Sequence, residues 1–180
     1  MSHKKNIGNM WRNTKNIVMS GDFIFSFFVS VIVYFVLPEK VPNEFSRDIY
    51  NVGITSLSII FSVYFAALAI IISSGDNDFI DFFEQEGDYT KLIKNFRYAL
   101  WLLLIALLSS ISLYTTTSFL IYQKEVNQVK YLIVGFSFLS LYGLLATFMA
   151  ANDAIKYALY RVKFIRSKQI NQAKKDSPSP

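Results

Sequence analysis

The sequence predicts an all-α membrane protein with four transmembrane helices and a cytoplasmic amphipathic helical segment between the second and the third. Three observations predict it. Hydrophobic residues make up 53% of the chain and charged ones 17%, against about 25% charged in a typical soluble domain, so the chain asks for a non-aqueous solvent. The apolar residues are blocked into four runs, about 21–37, 52–73, 98–122 and 131–153; a hydrocarbon core of about 30 Å takes roughly 20 helical residues, and runs this long that do not alternate are not strands. With the N-terminus inside, 14 of the 18 Lys and Arg fall on the inner side and four (Lys40, Arg47, Lys124, Lys130) outside. The positive-inside rule then makes both termini cytoplasmic. Nine acidic residues are inside and four outside, so the whole net charge of +5 lies on the inner side.

Residues 1–20 are polar and basic with Ile7, Met10, Trp11, Ile17 and Val18 interleaved, which predicts a cytoplasmic interfacial segment with Trp11 at headgroup level. The four-helix domain then runs over 21–166. Its first helix is the shortest and draws on 17–20 to reach full thickness. No signal-peptide cleavage site follows it, because Leu37-Pro38-Glu39 lacks the small residues such a site needs. Asp22 suits a cap at the inner boundary, and Ser26 and Ser30 lie one and two turns above it on the same face. Pro38 and Pro42 stop the helix, and a short outer loop is expected up to residue 50.

The second run, NVGITSLSIIFSVYFAALAIIISS, carries one small, mildly polar face: Thr55, Ser58, Ser62, Ala66, Ala69 and Ser73. The steps of three and four hold the helical period over five turns, and the opposite surface is Ile, Leu and Phe. Such a face belongs against another helix, where small residues permit close approach, or against water as a pore lining; both readings stand. The run passes directly into GDNDFIDFFEQEGD, with six carboxylates in the thirteen residues 76–88. Asp76 and Asp78 suit helix caps, and Gly87 interrupts the cytoplasmic segment 74–97. The spacing does not match a calcium loop, since the sixth position counted from Asp76 is Asp81 and the twelfth is Gly87. The acidic set is either a solvated face or, with several copies around a pore mouth, a cation-attracting ring of Asp76, Asp78 and Asp81.

The third run has an apolar start and a second half rich in hydroxyls, from Ser109 to Ser118. The fourth carries Ser140, Gly143, Thr147 and Ala150 on one face, a close-packing seam. Its helical pattern continues past Asn152-Asp153, where Lys156, Arg161, Lys163 and Arg166 interleave with Tyr157, Tyr160 and Phe164. With Lys91, Lys94 and Arg97 these cations suit lipid headgroups, or an anionic cytoplasmic ligand such as a nucleotide or a single-stranded nucleic acid. Residues 167–180 have the composition of a disordered cytoplasmic tail.

Several functions are excluded on composition. There is no cysteine, and His3 is the single histidine, so no thiolate, no Ser-His-Asp set and no HExxH motif exists. No ionisable side chain falls in the middle of a run, as proton relays and voltage sensors require. No enzyme activity, cofactor or metal is expected.

The run YFAALAIIISSGDNDFIDFFE among four short helices resembles small four-helix prokaryotic membrane effectors of anti-phage defence. It is most similar to the membrane channel subunit of the Hailong system and next to the membrane subunit of the Kiwa system. That resemblance implies a homo-oligomer, a tetramer by analogy, in the prokaryotic inner membrane, conducting ions under the control of a cytosolic partner or a nucleic-acid or nucleotide signal. The alternative class is a non-conducting scaffold or sensor that docks a cytosolic partner protein.

Overall fold

The computed structural model describes residues 21–73, 77–85 and 87–176. The interfacial segment expected over 1–20, residues 74 and 75, the acidic candidate Asp76 and the last four residues lie outside that set. Among the described residues there are five helices and two short strands: α1 (Gly21–Val36), β1 (Lys40–Pro42), α2 (Asn43–Ser73), α3 (Asn77–Glu84), α4 (Asp88–Tyr122), β2 (Asn127–Val129) and α5 (Tyr131–Asp176). Three of them, α2, α4 and α5, are long and apolar enough to cross a membrane, which marks a membrane protein. Helix α1 is apolar apart from Asp22 in its first turn and the serines Ser26 and Ser30, and its 16 residues span about 24 Å at roughly 1.5 Å per residue.

The helices pack in the order α1–α5–α4–α2, and α1 and α2 do not pack on each other. Helix α1 turns its Ser26 and Ser30 face inward. Both hydroxyls donate to the carbonyl one turn back, at 2.7 and 2.8 Å, and Phe23 sets its ring edge-on to Phe138 and Tyr142. Helix α4 buries Leu92, Phe96, Ala99, Leu103, Ala106 and Ser110, a continuous three-and-four stripe between α2 and α5. The seam expected on α5 lies against α4, where Gly143 lets the Leu102 backbone and the Leu103 side chain approach.

Several boundaries differ from the sequence expectation. The loop expected up to residue 50 is mostly helix, since α2 starts at Asn43. Asn43 donates its backbone N–H to Val126 O (2.9 Å) and its side-chain amide to Glu125 O (2.8 Å), while Ser46 donates to Pro42 O (3.0 Å). These bonds fix a helix start that the charges of Glu44, Arg47 and Asp48 disguise as loop. Helix α4 takes in 88–97 along with the third run, because Leu92 and Phe96 continue its buried stripe. Gly87 breaks the segment as expected, with φ +73°, a left-handed conformation glycine adopts without penalty. Helix α5 passes through 153 and 166 to Asp176, so the expected tail is helical over 167–176; no proline or glycine follows Gly143 to stop it before Pro178.

Strands β1 and β2 pair antiparallel, Lys40 opposite Val129 and Pro42 opposite Asn127, and clip the α1–α2 and α4–α5 connections together at one end of the bundle. The clip turns Gln128 inward. Its amide donates to Tyr50 Oη (3.2 Å), its carbonyl accepts from Thr117 (3.3 Å), and Ser110 donates to Tyr50 O (2.9 Å). Below this plug α2 and α4 cross closely at Gly53. A methyl at Gly53 would overlap the Phe136 ring and lie 2.9 Å from Ser110 Oγ. Phe136 is itself held edge-on to Tyr50 at 5.1 Å. Gly53→Ala is therefore expected to destabilise the bundle by about 1–3 kcal/mol through overpacking, read as a lower unfolding midpoint in detergent; an unchanged midpoint would show that Phe136 gives way freely.

Candidate functional site

The stripe of α2 faces away from its own chain. Tyr50, Leu57, Tyr64 and Ile71 are the buried residues of the span, and Thr55, Ser58, Ser62, Ala66, Ala69 and Ser73 lie on the opposite side of the helix. All six are exposed except Ser58, which is half-buried. The hydroxyls are satisfied along their own helix: Thr55 donates to Asn51 O (3.1 Å), Ser58 to Ile54 O (2.6 Å), Ser62 to Ser58 O (2.8 Å) and Ser73 to Ile70 O (3.2 Å). Each oxygen keeps acceptor capacity, so the face tolerates either a helix or water. An intramolecular packing seam is ruled out. The α4 hydroxyls divide in the same way, with Ser110 and Thr117 buried in the plug under the clip while Ser112 and Thr115 bond back along the helix.

At the end of the bundle away from the β1–β2 clip, α3 folds onto α5. It buries Phe79 and Phe83 against Tyr157, with ring centroids 5.2 and 5.5 Å apart, and Phe164 covers Phe79 at 5.5 Å. This aromatic clasp is not apparent in the sequence, where Phe79 and Phe83 read only as the apolar side of a short helix. Beyond the turn at Gly87, Glu84 caps α4 by accepting the Thr90 N–H (2.9 Å) and the Thr90 hydroxyl (2.5 Å). These bonds hold the Glu84 carboxyl below its ordinary range.

Two of the acidic candidates, Asp78 and Asp81, lie among the described residues. Asp78 accepts a 2.7 Å hydrogen bond from the Lys168 ammonium of α5, while Asp81 is exposed. Lys168 holds the Asp78 carboxyl below its ordinary value of 3.8. A depressed carboxyl contributes its stabilisation above the ordinary value and loses it as pH falls through the lowered one. Acidification below 3.8 is therefore expected to loosen α3 from α5, read as a longer distance between spin labels at Gln85 and Gln169. Asp78→Asn should show the looser distance already at neutral pH. A distance unchanged by acid and by the substitution would make the ion pair irrelevant to the clasp.

The basic candidates are brought together only in part. Lys91 and Lys156 line one cleft of about 150 Å³ with Phe83, Asp88, Asp153 and Tyr160. Asp153 there accepts from Asn95 (2.7 Å) and from Lys156 (3.4 Å), so two carboxylates offset the two cations. Arg161 lines a separate cleft with Phe79, Phe164 and Lys168. Lys94 and Arg97 are exposed along α4, and Lys163 and Arg166 along the outward side of α5. Of the aromatic residues read as stacking platforms, Tyr157 is 3% exposed and Phe164 is half-buried on Phe79 and Phe82. Tyr160 remains accessible, with the Lys163 ammonium 5.8 Å from its ring centroid. No group of three or more His, Asp or Glu among the described residues comes together to hold a metal.

Comparison of the chain with known protein families, with curated proteins and with solved structures returns no significant match.

Proposed function

We propose that the chain is a channel-like effector of the prokaryotic inner membrane, of the anti-phage kind its sequence resembles, in which several copies meet around the outward stripe of α2 and conduction is released by a cytoplasmic partner or by a nucleotide or nucleic-acid signal. One observation carries this reading. The small, hydroxyl-bearing face of α2 is left uncovered by its own chain over the whole length of a span, while the bulky face of the same helix supplies the core. Four helices in one chain leave no room for a path, so the path requires copies. In this reading α1 is the fourth span, both termini and α3 are cytoplasmic, and the β1–β2 clip is external. A cysteine at Val126, exposed beside the clip, should label with an impermeant thiol reagent on intact cells, and one at Gln85 should not; the reverse pattern overturns the orientation.

The test of function is planar-bilayer recording of the purified protein beside its mass in detergent. Unitary conductance from a species several times the 20.7 kDa chain is the expected result, and silent bilayers with a monomeric mass would overturn it. A second reading, a non-conducting scaffold or sensor that docks a cytosolic protein, is favoured by the uninterrupted passage of α5 beyond Asp153 with large aliphatic side chains exposed. Silent bilayers with an intact oligomer would select it.

A further inference from the structure

We infer that the outward face of the cytoplasmic part of α5 is a docking site for an acidic amphipathic helix of a second protein, an inference that rests on the cytoplasmic partner proposed above. Past Asp153 the helix has two sides. One carries Tyr157 and Phe164 and is covered by α3. The other presents Ile155, Leu159 and Val162, exposed by 60%, 59% and 64%. Their steps of four and three put them in one line. Aliphatic anchors at this spacing, on a helix that has left the membrane, are the surface by which one helix takes another.

The charges choose the partner. Lys156 and Lys163 run along one edge of the line and Arg166 stands at its far end, all exposed. No Asp or Glu occurs from 154 to 175. A second copy would bring its own α5 in the same direction, set by the membrane, and so place these cations against their equivalents. The acidic α3 of a neighbouring copy has too little apolar surface to offer, because Phe79 and Phe83 are buried within their own chain and leave only Phe82, 48% exposed and tilted on Phe164. A single-stranded nucleic acid binds by stacking on aromatic rings, and the line has none. Ile155 stands only about 3 Å past Asp153, but a straight helix carries Leu159 and Val162 about 9 and 14 Å past it at roughly 1.5 Å per residue, beyond a headgroup layer of roughly 5–7 Å, while surface binding needs the helix to lie in the interface.

The test uses the full-length protein in zwitterionic nanodiscs and a labelled synthetic peptide of about four heptads, with Leu at the a and d positions and Glu at e and g. Binding is read by fluorescence anisotropy, with oligothymidine as competitor. The peptide should bind. Leu159→Ser with Val162→Ser should weaken it by about tenfold or more. Lys163→Glu with Arg166→Glu should weaken it about fivefold and flatten its salt dependence. Leu159, Val162, Lys163 and Arg166 stand outside the cleft that Lys156 shares with Phe83 and Asp153, so oligomer mass and helix content should not change. Absent binding, or binding indifferent to the serine pair, overturns the inference. So does displacement of the peptide by oligothymidine that depends on the same cations, which would make the ligand a nucleic acid. A fall in oligomer mass with the serine pair would assign the face to a second copy and overturn it as well. Silent bilayers with intact peptide binding would leave this site standing and overturn only the conducting function.

Discussion

Ser62→Asp is expected to make the protein toxic on expression, with dye entering the cells and the oligomer intact. In the proposed assembly the stripe surrounds a narrow path bordered by small residues and flanked by Ile59, Val63 and Ile70, all exposed. A constriction of this kind closes by dewetting, and a carboxylate within it restores water. Because Ser62 points away from Tyr64 and Leu57, the new charge does not enter the core of its own chain. The outcome therefore depends on what covers the stripe.

A lipid-facing or helix-covered stripe predicts something different. An acidic residue near the bilayer centre costs about 2.5–3.5 kcal/mol on insertion scales, and one buried between copies without a partner costs several more, so insertion or assembly would fail without leak. Val63→Asp is the control for lipid, since Val63 is 66% exposed and lies about a quarter turn from the stripe at roughly 100° per residue. Ile60→Asp is the control for the core, since Ile60 is half-buried against it. Both should lower the amount inserted without leak. An assembled, silent Ser62→Asp would contradict the pore. A dissociated one would make the stripe a seam between copies and leave conduction to another surface.

Periodicity revealed the faces of these helices and not their neighbours. The three-and-four step of Thr55 to Ser73 was legible because it is local, and so were the break at Gly87 and the shared face of Ser26 and Ser30. Which face is covered depends on helix order, which hydropathy does not encode. Thus the set on α2 is exposed while the set around Gly143 on α5 is packed, though both read as small-residue seams. Gln128 sits in a polar loop by composition and is buried because a strand 87 positions earlier pairs with its own. Asp78 suits a pore mouth by sequence and is instead held by Lys168, 90 residues on. The starts of α2 and α4 lie ahead of the expected bounds for the same reason. Charged residues mark the membrane boundary, and a helix whose buried stripe continues, through Asn43 and Ser46 or through Leu92 and Phe96, has no cause to stop there. Among the described residues α5 has no buried one past Tyr157, and it runs on because no proline or glycine stops it.

Phe79→Ala is expected to release α3 from α5 while leaving the membrane bundle folded. Phe79 is 1% exposed and touches Phe83, Tyr157 and Phe164, so its removal should cost about 3–5 kcal/mol in lost burial and cavity. Helix α3 has eight residues, well below the roughly 12–15 at which an isolated helix becomes even marginal in water, and without the clasp it should melt. Hydrogen exchange should then show loss of protection over 77–84 and retention over 99–110, where Leu103 and Ala106 are buried independently. Retained protection over 77–84 would show that Asp78–Lys168 and Phe83 suffice. In the proposed function the same substitution separates two steps. Helix α3 follows the inner end of the stripe helix and is docked on α5, so it is the physical link between a partner bound to α5 and the path at α2. The acidic peptide should still bind Phe79→Ala, because Ile155, Leu159 and Val162 lie on the other side of α5, while any change in conductance that the peptide causes should disappear. A conductance response that survives the loss of α3 protection would remove α3 from the route between α5 and α2.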